Sequence, residues 1–193
     1  MGRSQAERLR RAIVRCAAEK GYANTTIADI VRVAGTSRSA FYEHFDNKEA
    51  CFVEGYERIT GAFIRASAEA STGADNWTDG LDAGIATYFQ WASERPEAAR
   101  AFLVEIQAVG PRGIEAHWQA IQRWVEQLQL FGQVAREQDP SLPEPPRLAY
   151  ASVIVTAEAY AQDYVRRGRV ADLPELIPAM QELAQGVFRG ASG

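Results

Sequence analysis

Thr36, Ser37, Arg38 and Ser39 make a row of hydrogen-bonding side chains between Gly35 and the aromatic pair Phe41-Tyr42. Arg38 is the only long donor of the four, and its planar fork suits the paired acceptors on the major-groove edge of guanine. Such a row works only at the start of a short helix whose N-terminal residues reach base edges. The flanking residues supply that setting. Thr26 and Asp29 form a capping box that opens one short helix, carrying Ile27, Ile30, Val31 and Ala34, and Gly35 ends it after about two turns. Thr36 or Ser37 caps a second helix, running to about His44, with Ala40 and Phe41 turned inward. Gly35 permits the tight turn, and Ile30, Val31, Ala34 and Phe41 lock the pair at a steep angle. Two short helices so joined match a helix-turn-helix over about residues 26–45.

The remaining segments also read as helix, which predicts an all-α chain of about nine helices. No period-2 alternation and no Asn-Gly or Asp-Gly hairpin signal interrupts them. Ser4 with Glu7 opens the first helix, Leu9, Ala12, Ile13, Cys16 and Ala17 form its apolar stripe, and Gly21 stops it. Asn47 caps a helix to about residue 71 with Phe52, Tyr56, Ile59 and Phe63 on one face. Further helices are expected over about 77–94, 97–109, 113–137 and 147–167. Asp172 is expected to cap the last one, which reaches about Arg189, and Pro178 forces a late start or a kink there. In the 113–137 helix, Ile114, Trp118, Ile121, Val125 and Leu128 are expected to form the core stripe. The organisation that follows is a head over residues 1–47 and a larger helical body over 48–193.

Charge separates the same two parts. Residues 1–48 carry nine Lys/Arg against five Asp/Glu, a balance of +4, whereas the other 145 carry twelve against twenty, −8. A basic head on an acidic body suits anion binding, nucleic acid among the candidates, and the overall charge of −4 excludes a uniformly basic nucleic-acid-coating protein. No apolar run reaches the roughly 18 residues that a membrane helix needs. The charged N-terminus has no signal-peptide core, and Ala6 stands where a myristoylation motif wants Ser or Thr. Cys16 and Cys51 are too few and too far apart for a disulfide scaffold or a zinc site. A cytoplasmic protein with buried thiols, no cofactor and no metal is expected.

The run TTIADIVRVAGTSRSAFYEHFDNKEACF resembles the DNA-binding head of the tetracycline-repressor (TetR-like) family of bacterial regulators. The Thr-Thr start, the Ala-Gly turn, Phe41-Tyr42, His44-Phe45 and Asn47-Lys48-Glu49 carry that resemblance, which is close over about residues 5–55. It implies that Thr26 and the amides beside it hold a phosphate, and that Tyr42, His44 and Lys48 contact further phosphates. It implies that Thr36, Ser37, Arg38 and Ser39 face bases or nearby phosphates, with Phe41 and Phe45 in the core. Arg3, Arg10 and Arg11 are candidates for added backbone or minor-groove contacts.

A single small head binds weakly, so a homodimer on a palindromic DNA operator is expected, its heads about 34 Å apart or a multiple of that. The small and apolar residues between Ala149 and Ala161, with the stripe Leu173, Leu176, Ile177, Met180, Leu183, Ala184 and Val187, are the expected four-helix seam. The resemblance also implies a small-molecule pocket among the central helices, and apolar walls with a few polar groups are what a pocket needs. Phe89, Phe102, Trp118, Ile121 and Trp124 are the expected walls. Gln107, His117, Glu158 and Gln162 are the expected polar groups. Glu158, inside TAEAYA, wants a partner if buried, and a cationic ligand could serve.

Nothing in the sequence assembles an enzyme. Two histidines, with no GxSxG, HExxH, P-loop or GxGxxG, leave no nucleophile–base pair or phosphate loop. The expected function is a sequence-specific transcriptional regulator, a repressor released from its operator by a small apolar or amphipathic effector. The alternative is a helical carrier or enzyme that no longer binds DNA, which acidic or apolar residues at 36–39 would have favoured.

Overall fold

The computed structural model describes residues 4–190, so Arg3, a candidate DNA contact, lies outside the described residues. The described residues form nine α-helices and two 3₁₀ segments, with no strand. In chain order the helices are α1 (Gln5–Lys20), α2 (Ile27–Ala34), α3 (Arg38–Tyr42), α4 (Lys48–Thr72), α5 (Trp77–Ser93), α6 (Pro96–Leu103), α7 (Pro111–Gln138), α8 (Arg147–Arg166) and α9 (Ile177–Arg189). The 3₁₀ segments are Glu105–Val109 and Val170–Leu176. Among the described residues, no helix is long and apolar enough to cross a membrane. The chain divides into two compact units. One holds the residues up to Thr60 together with Arg95–Trp118, and the other holds Gly61–Glu94 with the residues from Gln119 onward. The expected boundary after residue 47 falls inside the first.

In the first unit, α1, α2 and α3 form a three-helix head, and α6 packs on α1. Local signals set the helix ends. The Thr26–Asp29 capping box is closed from both sides, and Gly35 leaves α2 in the left-handed conformation at φ 62°. Ser37, rather than Thr36, caps α3, and α3 ends at Tyr42, two residues short of the expected His44. Asn47 Oδ1 accepts the Ala50 N–H at 2.8 Å at the start of α4. Leu9, Ile13, Ile30, Phe41 and Phe52 are fully buried, and burying Phe41 or Phe52 contributes roughly 1.5–3 kcal/mol each.

In the second unit, α5 packs on the Val170–Leu176 segment and on α9, and α8 packs on both of these as well. Phe188 sits at the junction of three elements, 5.9 Å from Trp77, 5.8 Å from Phe131 and 5.6 Å from Tyr150 between ring centroids. Gln185 donates to both carboxylate oxygens of Asp82 at 2.9 Å, which ties α9 to α5.

Three expectations need correction. The single helix expected over 97–109 breaks after Leu103 into the tighter Glu105–Val109 segment, and that break turns the Glu105 side chain inward. The last helix does start late, at Ile177, with Pro178 in its first turn, where a missing N–H costs nothing, but Asp172 lies in the preceding 3₁₀ segment and does not cap it. In α7, Ile114 is 60% exposed and Trp118 54% exposed, whereas Ala116, Ala120, Trp124, Val125 and Ala135 are buried. The inner face of α7 is thus partly a face of small residues. An added Cβ on Gly113 would lie 2.5 Å from the Ile106 carbonyl oxygen and 2.6 Å from Val109 Cβ, so only glycine lets these backbones approach.

Candidate nucleic-acid interface and effector clusters

The polar face of α3 is built by its own short length. Ala40 and Phe41 are buried beneath it, and Ser37 Oγ accepts the Ala40 N–H at 3.1 Å. Arg38, Ser39 and His44 are exposed, and Tyr42 is 48% exposed. Arg38 and Tyr42 stand one helical turn apart, so their side chains meet. The Arg38 guanidinium lies 5.8 Å from the Tyr42 ring centroid, and its Nη2 donates to the Tyr42 hydroxyl at 3.4 Å. The structure therefore groups Arg38, Ser39 and Tyr42 on one open face, with His44 in the turn just beyond α3. Thr36 is half-buried, and its hydroxyl oxygen accepts from Gln5 Nε2 on α1.

The other expected contacts are already engaged within the protein. The Thr26 hydroxyl donates to Asp29 Oδ2 at 2.6 Å, and the Thr26 N–H donates to the same oxygen at 2.9 Å. Lys20 pairs with Asp29 too. Together Lys20 and Thr26 hold the Asp29 carboxyl far below the usual carboxylate range. A resident carboxylate thus occupies part of the anion position at the α2 N-terminus, where the Asp29 N–H in turn donates to the Thr26 hydroxyl oxygen at 3.2 Å. Lys48 donates to the carbonyl oxygens of Tyr22 at 2.8 Å and Thr25 at 2.9 Å, and burial pulls its pKa down. Two of its three donors are so used. Arg10 is a correction: it is 8% exposed and pairs with Glu54 at 2.9 Å and Glu7 at 3.2 Å, so it braces α1 against α4. Arg11 stays exposed and pairs with Glu7 at 3.2 Å.

The expected effector residues divide between the two units. In the first, the Phe102 ring stacks on the Tyr56 ring at 5.5 Å, and the Tyr56 hydroxyl lies 3.3 Å from His117 Nδ1. Burial lowers the His117 pKa, which favours a neutral imidazole. Gln107, an expected polar group, and Trp118, an expected wall, are both exposed.

In the second unit, the Phe63 ring stacks on Tyr88 at 4.8 Å and on Trp91 at 4.2 Å between centroids, and Trp124 meets it edge-on at 5.4 Å. Phe89 is buried and meets Tyr88 edge-on at 5.0 Å. Ile121 is buried. The indole Nε1 of Trp124 is enclosed without a hydrogen-bond partner among the described residues. Glu158 and Gln162 lie one turn apart on α8, both half-buried. Burial pushes the Glu158 carboxyl up to about 7.

One functional candidate was missed in the sequence. Glu105 is 6% exposed, and its Oε2 accepts the Tyr22 N–H at 2.8 Å. A single charge inside the apolar run AFLVEIQAV is the signal that could have found it.

Comparison with known proteins agrees with the geometry of the head. Residues 9–55 match the family model for bacterial regulatory proteins, tetR family. YerO of Bacillus subtilis, an uncharacterised HTH-type transcriptional regulator, is 42% identical over 55 residues, which are 28% of this chain and 19% of that relative. The fatty acid degradation regulator FadR from Bacillus halodurans has a TM-score of 0.84 and 18% identity over 98% of each chain. The transcriptional regulator FadR from Bacillus subtilis, solved in complex with stearoyl-CoA, has a TM-score of 0.81 and 19% identity over 95% of this chain and 98% of that one. At such identities the likeness to solved structures is one of fold.

Proposed function

We infer, from a head whose residues 9–55 match the family model for bacterial regulatory proteins, tetR family, and from a fold similar over nearly the whole chain to that of solved regulators, that this protein is a transcriptional regulator switched by a small molecule. One observation carries the reading. The recognition helix α3 buries Ala40 and Phe41 and leaves Arg38, Ser39 and Tyr42 open, the arrangement that reading a major groove requires. Arg38 reads a guanine, with Ser37 and Ser39 beside it. Tyr42, His44, the outer side of Thr36, the α2 N-terminus at Thr26 and the remaining donor of Lys48 hold phosphates.

The regulator acts as a homodimer on a palindromic operator in the cytoplasm. Leu148 and Val155 on α8, seven residues apart and therefore on one face, and Leu183 on α9 are exposed apolar residues that the seam would cover. The effector is apolar or amphipathic, and each unit by itself supplies candidate contacts. In the second unit they are Phe89, Ile121 and Trp124 around the Phe63 cluster, with Glu158 and Gln162 as polar groups; in the first they are Phe102 beside Tyr56, with His117 as the polar group. Repression follows if the effector binds the DNA-free state more tightly, because a ligand shifts an equilibrium only by its differential affinity.

The test is selection from random double-stranded DNA with the wild type beside Arg38→Ala. An enriched palindrome, weakened by about 1–3 kcal/mol and relaxed at one G·C pair in the variant, supports the reading. No enrichment at low salt overturns it in favour of a helical carrier. Stearoyl-CoA, the ligand of the Bacillus subtilis FadR, is the first effector probe.

A further inference from the structure

Glu105 belongs to neither the DNA face nor the effector clusters, yet it is a buried carboxylate placed against the head. It lies in the Glu105–Val109 segment that follows α6. Its Oε1 pairs with Arg100 Nη2 at 3.0 Å, which fixes the carboxylate from its own side. Its Oε2 reaches the backbone N–H of Tyr22, 83 residues earlier, at 2.8 Å. Tyr22 is held from its other side as well. Its carbonyl accepts from Lys48 at 2.8 Å, and its ring meets Phe52 edge-on at 5.0 Å, both on α4. The connection from Gly21 to Thr25 is closed on itself by the Thr25 hydroxyl, which donates to the Gly21 carbonyl at 2.9 Å, and it leads directly into the Thr26 cap of α2.

Two stretches of chain run between this unit and the other. They are α4, continuing past Thr60, and the 95–118 segment at both its ends. Each stretch grips the backbone of the same residue, α4 through Lys48 and the 95–118 segment through Glu105. A hydrogen bond to a buried, charged acceptor has strict distance and angle demands, so a shift of the 105–109 segment must either drag the 21–25 connection or break the bond.

We propose that Glu105 is the positioning residue that couples the α6–Val109 segment to the helix-turn-helix, with the Tyr22 backbone as the point of coupling. Through it the orientation of α2 and α3 depends on where that segment sits. This rests on the DNA-binding reading above and adds to it the residue that makes DNA affinity sensitive to the body.

Coupling between sites is reciprocal, so the selected operator DNA can serve as the probe. Amide exchange is measured over residues 21–26 and 104–109, with α9 as reference, on the full chain with and without saturating operator. In the wild type, DNA slows exchange in both segments. In Glu105→Ala the DNA-free protein exchanges at the Tyr22 amide about 10- to 100-fold faster, the ratio expected for one lost hydrogen bond to a charged acceptor. Its 104–109 segment no longer responds to DNA, while α9 is unchanged. A merely structural role would loosen all three regions together and leave the DNA response of 104–109 in place, which overturns the proposal. Should Glu105→Ala not fold, Glu105→Gln carries the same test: it keeps an acceptor oxygen but loses the charge, so the Tyr22 amide exchanges faster than in the wild type, and a 104–109 response to DNA that is undiminished despite that faster exchange overturns the coupling. A wild type that enriches no DNA overturns the functional reading and the proposal with it; a wild type that binds while its 104–109 segment ignores DNA overturns the proposal alone.

Discussion

The ammonium of Lys48 sits 4.1 Å from the centroid of the Tyr22 ring while it donates to the Tyr22 carbonyl at 2.8 Å. A residue whose position in the sequence suggests a phosphate contact is thereby bound twice to one neighbour, once through the ring face and once through the backbone. This pairing joins the start of α4 to the connection that leads into α2.

Lys48→Met is therefore expected to lower stability by about 1.5–3 kcal/mol, the range for hydrogen bonds made by charged groups. Urea unfolding followed by circular dichroism measures it. A midpoint equal to that of the wild type would show that the ammonium is solvated rather than engaged with the carbonyls.

Tyr42→Phe removes a hydroxyl from an exposed ring and the acceptor that Arg38 uses. Operator affinity is expected to fall by about 0.5–1.5 kcal/mol with no change in melting temperature. The slope of log affinity against log salt stays that of the wild type, because no charge is lost. Fluorescence anisotropy across a salt series separates these outcomes.

Gly113→Ala places a methyl group 2.5 Å from the Ile106 carbonyl oxygen. Alanine in a helix gains up to about 1 kcal/mol over glycine. Overpacking against backbone costs about 1–3 kcal/mol, so the variant is expected to be the less stable one. A raised melting temperature in calorimetry would mean that the Ile106–Val109 backbone gives way.

Val155→Glu puts a charge on the exposed apolar face of α8. The expected result is a shift from dimer to monomer in light scattering, with helix content unchanged. An unaltered dimer would move the seam elsewhere.

Glu158 contributes a pH dependence. Its carboxyl, ordinarily near 4.5, is pushed up to about 7 by burial, so the folded state favours the protonated form. The stabilisation is fully present below about pH 4.5 and is lost as pH rises through about 7. Glu158→Gln should remove it, making the stability difference between pH 5 and pH 8 smaller than in the wild type by on the order of 2–3 kcal/mol. Thermal melts of both proteins at the two pH values test this; identical pH profiles would show that Glu158 ionises in water.

Much of the fold was legible because its signals are local. Thr26 with Asp29, Gly35, Ser37 and Asn47 act on backbone groups within three or four residues, so the sequence alone determined where α2 and α4 begin, and where α3 begins to within one residue. The buried places of Leu9, Ile13, Ile30 and Phe41 followed from helical periodicity for the same reason. What the tertiary structure decided depends on partners far along the chain. Arg10 could have been a surface donor until Glu54 met it, 44 residues away. Lys48 could have been free until the 22–25 connection came within reach. In α7 the larger side chains Ile114 and Trp118 gave up the inner face to Gly113 and Ala116, because the close approach of Ile106 and Val109 leaves room only for small residues. The use of Glu105 was decided in the same way, since a buried carboxylate is tolerable only where an amide and a guanidinium converge on it, and no spacing along a helix records that meeting.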